Sequence, residues 1–139
     1  MKTEIKESIK NKIESTDWSK FNGPDLYDAE GVSSTLIGLL EIIGPEGIKK
    51  KGFQVINALG NNHQGVYYPA VLEALDYIIL IEQNTNNESC RTCAQDILNN
   101  LHYFEPDLGG YEGCSKEELK EFVREKTKPY SDDEPVELL

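Results

Sequence analysis

Three groups of residues in this 139-residue chain have the types and spacing that chemistry uses. Cys90-Arg91-Thr92-Cys93 has the spacing of a zinc or redox pair. Zinc takes about four ligands, yet Cys114, His63 and His102 stand at unrelated offsets and supply no second pair. A thioredoxin-type pair belongs in a strand–helix–strand setting that this chain lacks. The plainer reading is two small residues facing a helix core, so no metal or other cofactor is expected. Glu73 and Asp76 lie three apart on one helix face, which suits acid–base work or metal binding. With His63 they define an enzymatic alternative, a small helical hydrolase or metal-dependent enzyme. A dimetal bundle would add Glu-x-x-His on a neighbouring helix, and none is present. A solvated face or an acidic patch for a protein partner fits the pair better. No Gly-x-Ser-x-Gly turn and no phosphate-cradling glycine loop occur. No catalytic residue is assigned, and the chain is expected not to be an enzyme.

The third group is Asn61-Asn62-His63-Gln64-Gly65-Val66-Tyr67-Tyr68-Pro69-Ala70. Amides, a histidine and two tyrosines concentrate there in one loop. His63 reads as a strut bonded to backbone carbonyls, as a binding residue or, least well, as a catalytic base. Tyr67 and Tyr68 offer large rigid area with a polar tip, as interfaces use; one of them is expected to pack inward as a staple.

The elements that must position these groups are helical. Ile5, Ile9 and Ile13 put a narrow apolar stripe on a helix over 3–15. Asn22-Gly23-Pro24 marks a turn, with Trp18 and Phe21 beside it as core anchors. Val32, Leu36, Leu39, Leu40 and Ile43 share one side of a helix over 28–43. Gly44-Pro45 should stop it, with Gly44 in a left-handed conformation and Pro45 opening a helix to Leu59. A further helix over 68–82 is apolar around much of its circumference and reads as central. Asn87 can cap a helix over 88–103 whose face is Cys90, Cys93, Ala94, Ile97, Leu98 and Leu101. Glu105 to Gly113 is a Gly/Pro-rich loop. Ser115 with Glu118 has the spacing of a capping box opening a helix to about Lys126, which Pro129 stops.

No alternating strand pattern of useful length appears. The expected fold is all-α, with hairpins over 28–59 and 68–103 and a helix at either end. Units of about 35 residues repeated as helix–turn–helix suggest an α-solenoid; a plain helical bundle predicts the same pattern. One domain over 1–130 and an acidic, loosely held tail over 131–139 follow.

Net charge is −11, and it is uneven. Residues 1–69 hold 8 Lys/Arg and 9 Asp/Glu, net −1; residues 70–139 hold 6 and 16, net −10. Such acidity disfavours a direct nucleic-acid binder and leaves room for a basic protein partner. Three cysteines, an odd number, fit a reducing cytoplasm. No apolar run approaches the ~20 residues a membrane span needs, and Met1–Lys12 does not read as a secretory signal.

The run from Asn61 to Val71 resembles a motif of small bacterial HEAT-like repeat proteins, His-x-Gly-x-x-Tyr-Pro-Ala-Ala before an apolar helix, with Val71 here in place of the last Ala. Asp17-Trp18-Ser19 is similar to that group's opening. The resemblance covers most of residues 15–105. It implies a HEAT-like α-solenoid and an immunity protein that neutralises a contact-dependent growth-inhibition or related polymorphic toxin. A nuclease toxin must be basic to hold phosphates, and an acidic inhibitor matches it and associates quickly. The expectation is a cytoplasmic, non-catalytic protein that blocks a cognate nuclease through Glu73, Asp76, Tyr77, Glu105, Asp107, Tyr111, Glu112, His63 and Tyr67. Carboxylates would stand in for phosphates and aromatics would anchor. A general HEAT-like scaffold is the alternative.

Overall fold

Apolar residues spaced three and four apart bury one face of each segment they occupy, and the described part of the chain folds into helices accordingly. A computed structural model describes residues 1–132; of the acidic tail, only Ser131 and Asp132 fall inside it. The helices are α1 (Thr3–Ser15), α2 (Ala29–Leu40), α3 (Ile48–Leu59), α4 (Val71–Asn84), α5 (Glu88–Tyr103) and α6 (Lys116–Thr127). Three short 3-10 turns, Trp18–Phe21, Pro45–Gly47 and Lys128–Tyr130, join or extend them. None of these helices is long and apolar enough to cross a membrane.

Starts and stops follow local chemistry. Asn87 Oδ1 accepts from the Cys90 N–H at 3.0 Å and opens α5. Ser115 and Glu118 form a reciprocal capping box on α6: the Glu118 N–H donates to Ser115 Oγ at 3.1 Å and the Ser115 N–H to Glu118 Oε1 at 2.9 Å. Hydrogen bonding to its charged form by the Ser115 backbone N–H and then the Ser115 side chain holds the Glu118 carboxyl below its usual range. Helix α2 ends at Leu40, earlier than its apolar spacing suggests. Gly44 is extended, with φ −140°, not left-handed. Ile42 is the buried residue of this connection and Ile43 is 86% exposed, the reverse of the expected face. Helix α4 starts at Val71 because Tyr68-Pro69-Ala70 form a turn, with the Tyr68 N–H donating to Leu59 O at 2.7 Å.

Helices α2 and α3 pack together, as do α4 and α5, and the pairs meet through α2 on α4 and α3 on α5. Helix α1 lies against α2 and α4, and α6 against α4 and α5. One core runs through all of them, from Ile9 and Ile13 through Leu36, Leu59 and Leu75 to Ile97, Leu101 and Val123. The predicted face of α5 is wholly buried, as are Trp18 and Phe21. The sequence shows no strand pattern, yet a three-stranded sheet of two-residue strands is present: β1 (Gly60–Asn61), β2 (Val66–Tyr67) and β3 (Glu105–Pro106). β1 and β2 are antiparallel, and β2 and β3 parallel. Two residues are too few to show a period.

Candidate functional site

The sheet decides where the two candidate loops sit. Val66 is opposite Glu105 and Tyr67 opposite Pro106. Beyond the strands, the Glu105 N–H donates to Gly65 O at 2.9 Å and the Asp107 N–H to Tyr67 O at 2.8 Å. The histidine-bearing turn and the acidic 105–113 loop, about forty residues apart in sequence, are thereby joined along one edge.

The turn at residues 61–65 is fixed by its backbone and its amides. Gly65 has φ +67°, a left-handed conformation suited to glycine, and its N–H points back to Asn61 O at 2.9 Å. The Gln64 N–H donates to Asn61 Oδ1 at 3.1 Å, and the Asn62 N–H to Asn57 Oδ1 at 3.0 Å. The strut role considered for His63 thus falls to Asn57 and Asn61. His63 is exposed at the tip, and its ring makes no hydrogen bond among the described residues. At Gly60 an added Cβ would meet Val66 O at 2.1 Å, so this strand position needs glycine for close approach.

Tyr67 and Tyr68 both pack inward, where one was expected to. Tyr67 is fully buried, its hydroxyl has no hydrogen-bond partner among the described residues, and burial raises its pKa. No surface contact by Tyr67 is available in this conformation. Tyr27 stands edge-on to Tyr68 at 6.0 Å and donates its hydroxyl to Trp18 O at 2.7 Å. Burial pushes the Tyr27 phenol up to about 12.

The acidic loop runs from the sheet to the Gly23-Pro24 turn and Phe21. Gly109, at φ +57°, passes so close to Gly23 and Pro24 that a Cβ would lie 2.5 Å from Pro24 N. Tyr111 then packs on Phe21 with ring centroids 6.0 Å apart. Asp107 Oδ1 accepts from the Gly109 N–H at 3.2 Å, which turns the loop, while Glu112 is exposed.

Three of the expected contact carboxylates are already paired. Lys20 Nζ donates to Glu73 Oε1 at 2.7 Å, Lys126 Nζ to Asp76 Oδ1 at 2.9 Å, and Lys120 Nζ to Glu105 Oε1 at 2.7 Å. Tyr77 is half-buried, edge-on to Trp18 at 6.0 Å, with its hydroxyl 2.7 Å from Thr16 Oγ1. Lys20 comes from the Trp18–Phe21 turn and Lys120 and Lys126 from α6, so these carboxylates tie α4 and the loop to their neighbours. Glu73, Asp76 and His63 do not converge: the carboxylates answer to Lys20 and Lys126, and His63 stands apart at the turn. No cluster of three or more potential metal ligands occurs among the described residues.

Cys90 and Cys93 are buried, their thiols donating to Leu39 O at 3.3 Å and Ile48 O at 3.4 Å. Burial pushes both up, Cys93 to about 12, which suppresses the thiolate that redox or metal chemistry needs. Cys114 is separate and half-exposed. Sequence reasoning missed His102, which lies 3.0 Å from Thr127 Oγ1. No spacing rule signals that pair, because the residues lie on different helices. Compared with known proteins, the chain matches no protein-family model, no curated protein and no solved structure.

Proposed function

We propose that this chain is a protein-binding inhibitor of immunity type, which neutralises a basic nuclease toxin in the cell that makes it. The two helical hairpins are read as HEAT-like repeats of a short α-solenoid, consistent with α2 stacking on α4 and α3 on α5. The supporting observation is the weld between β2 and β3. It fixes the turn carrying Asn62, His63 and Gln64 beside the start of the loop, at Glu105 and Asp107, from which the chain runs on to the exposed Glu112. A rigid surface built this way loses little conformational freedom on binding. Its exposed side chains are amides, an imidazole and carboxylates, suited to lysine and arginine groups of a nuclease. Glu112 and His63 are the direct contacts. Glu73, Asp76 and Glu105, through their lysines, and Tyr77 and Tyr111, through their rings, hold the surface in shape.

The reading has a direct test in co-expression with the toxin domain encoded beside this gene. Rescue of growth together with a stable complex is expected. No rescue and no complex would overturn the inhibitor reading and return the chain to a general helical scaffold.

A further inference from the structure

Of the six Lys/Arg in residues 70–139, five fall between Lys116 and Lys128, and α6 sorts them. At about 100° per residue, Lys116, Lys120, Arg124 and Lys128 follow at four-residue intervals beside the buried Leu119, Val123 and Thr127. Glu117, Glu121 and Glu125 run along the solvent side. Like charges four apart on a helix repel, so this sorting opposes the helix that carries it. Lys120 is paired with Glu105, but Arg124 and Lys128 are in no ion pair within 4.0 Å among the described residues.

Between this flank and the end of α5 lies a groove of about 620 Å³, lined by His102, the three cations, the three glutamates and Ser131. That volume suits a small ligand. The tautomer of His102 can be deduced. Thr127 Oγ1 uses its single proton on Val123 O at 2.7 Å, so at the 3.0 Å contact His102 Nδ1 must be the donor. Nε2 then carries the lone pair and has no partner among the described residues. Burial and Arg124 both lower the pKa of this imidazole, so it stands neutral at pH 7. Tyr103 packs edge-on to it at 5.2 Å.

We propose that this groove binds a small phosphate-bearing ligand, with Arg124 and Lys128 on the phosphoryl oxygens and His102 taking a proton at Nε2 to donate a further hydrogen bond. The guanidinium fork matches phosphate geometry. The three glutamates that share the lining and the net charge of −11 oppose a long polyanion, so the ligand is a compact phosphate and not a nucleic-acid strand. This site adjoins the welded surface at the Lys120–Glu105 pair, and the phosphate proposal stands without the inhibitor reading.

The test is a pH titration of both imidazoles by NMR on the full chain, with and without inorganic phosphate at constant ionic strength. The chain has two histidines, so His63 is a control in every spectrum. With saturating phosphate the His102 midpoint should rise by about half a pH unit or more while that of His63 stays put. Arg124→Gln and Lys128→Gln, both at exposed positions, should each weaken the phosphate effect by roughly tenfold. Lys49→Gln on α3 should leave it unchanged. Equal shifts at both histidines, no shift at His102, or an unaltered response in Arg124→Gln would each overturn the proposal.

Discussion

The two helical hairpins are similar in length and differ in how their surfaces are used. The first, α2 and α3, lies within the near-neutral half of the chain. Its connection leaves Ile43 86% exposed, and its one ion pair among the described residues, Lys6 with Glu41, is a loose 3.7 Å. The second, α4 and α5, is tied from outside by Lys20 to Glu73 and by Lys126 to Asp76, and Gln95 Nε2 donates to Glu82 Oε2 at 3.0 Å between its helices. Acidity concentrated in sequence is therefore not all acidity offered to a partner. Among the described residues, part of it positions elements, and other carboxylates, such as Glu112, face solvent.

The sharpest way to break this comparison is in the shared core. Ile97 of α5 is fully buried, so Ile97→Ala should lower unfolding free energy by about 3 kcal/mol in denaturant titration. Next comes the weld. Gly60→Ala drives a Cβ into the Val66 carbonyl and should cost about 2 kcal/mol, with faster amide exchange at Tyr68 and Asp107. Ser115→Ala removes the capping box of α6 and should cost about 1 kcal/mol.

A smaller effect of opposite sign is expected at Asp96 on the acidic hairpin. Burial, with Asp132 adding to it, raises the pKa of this carboxyl. A raised pKa favours the protonated form in the folded state, so the charged form costs stability once pH exceeds the folded pKa. Asp96→Asn should therefore raise Tm at pH 7, and the gain should vanish as pH falls below the carboxylate range. Smallest of all is Ile43→Ala, which should change stability by no more than about 0.5 kcal/mol; a larger loss would show that the first hairpin is not open there.

Helices were legible where a cap and a periodic face agree. Helix α5 has both, with Asn87 at its start and six inward residues, and α6 has its capping box. Helix α2 has the period, but its stop signal, Gly44-Pro45, lies beyond the point after Leu40 where the chain turns away, so the spacing alone places Ile43 in the core. The start of α4 was misread because Pro69 suits a helix start and a turn equally. The weld was illegible for a different reason: β2 and β3 pair across some forty residues through backbone groups, which side-chain patterns do not report. For the same reason the burial of both tyrosines was only half anticipated. The spacing of Glu73 and Asp76 was plain in sequence, but their lysine partners come from distant segments. Charge counts gave position and sign, and tertiary structure alone separates paired carboxylates from free ones.

The most direct measurement is calorimetric titration of the toxin partner that the proposed function calls for with four forms of this chain: unaltered, His63→Ala, Glu112→Gln and Glu73→Gln. Binding should weaken by roughly tenfold or more for His63→Ala and Glu112→Gln, and by no more than about threefold for the lysine-paired Glu73→Gln. If Glu73→Gln abolishes binding while His63→Ala and Glu112→Gln bind like the unaltered chain, the welded turn and loop are not the partner surface.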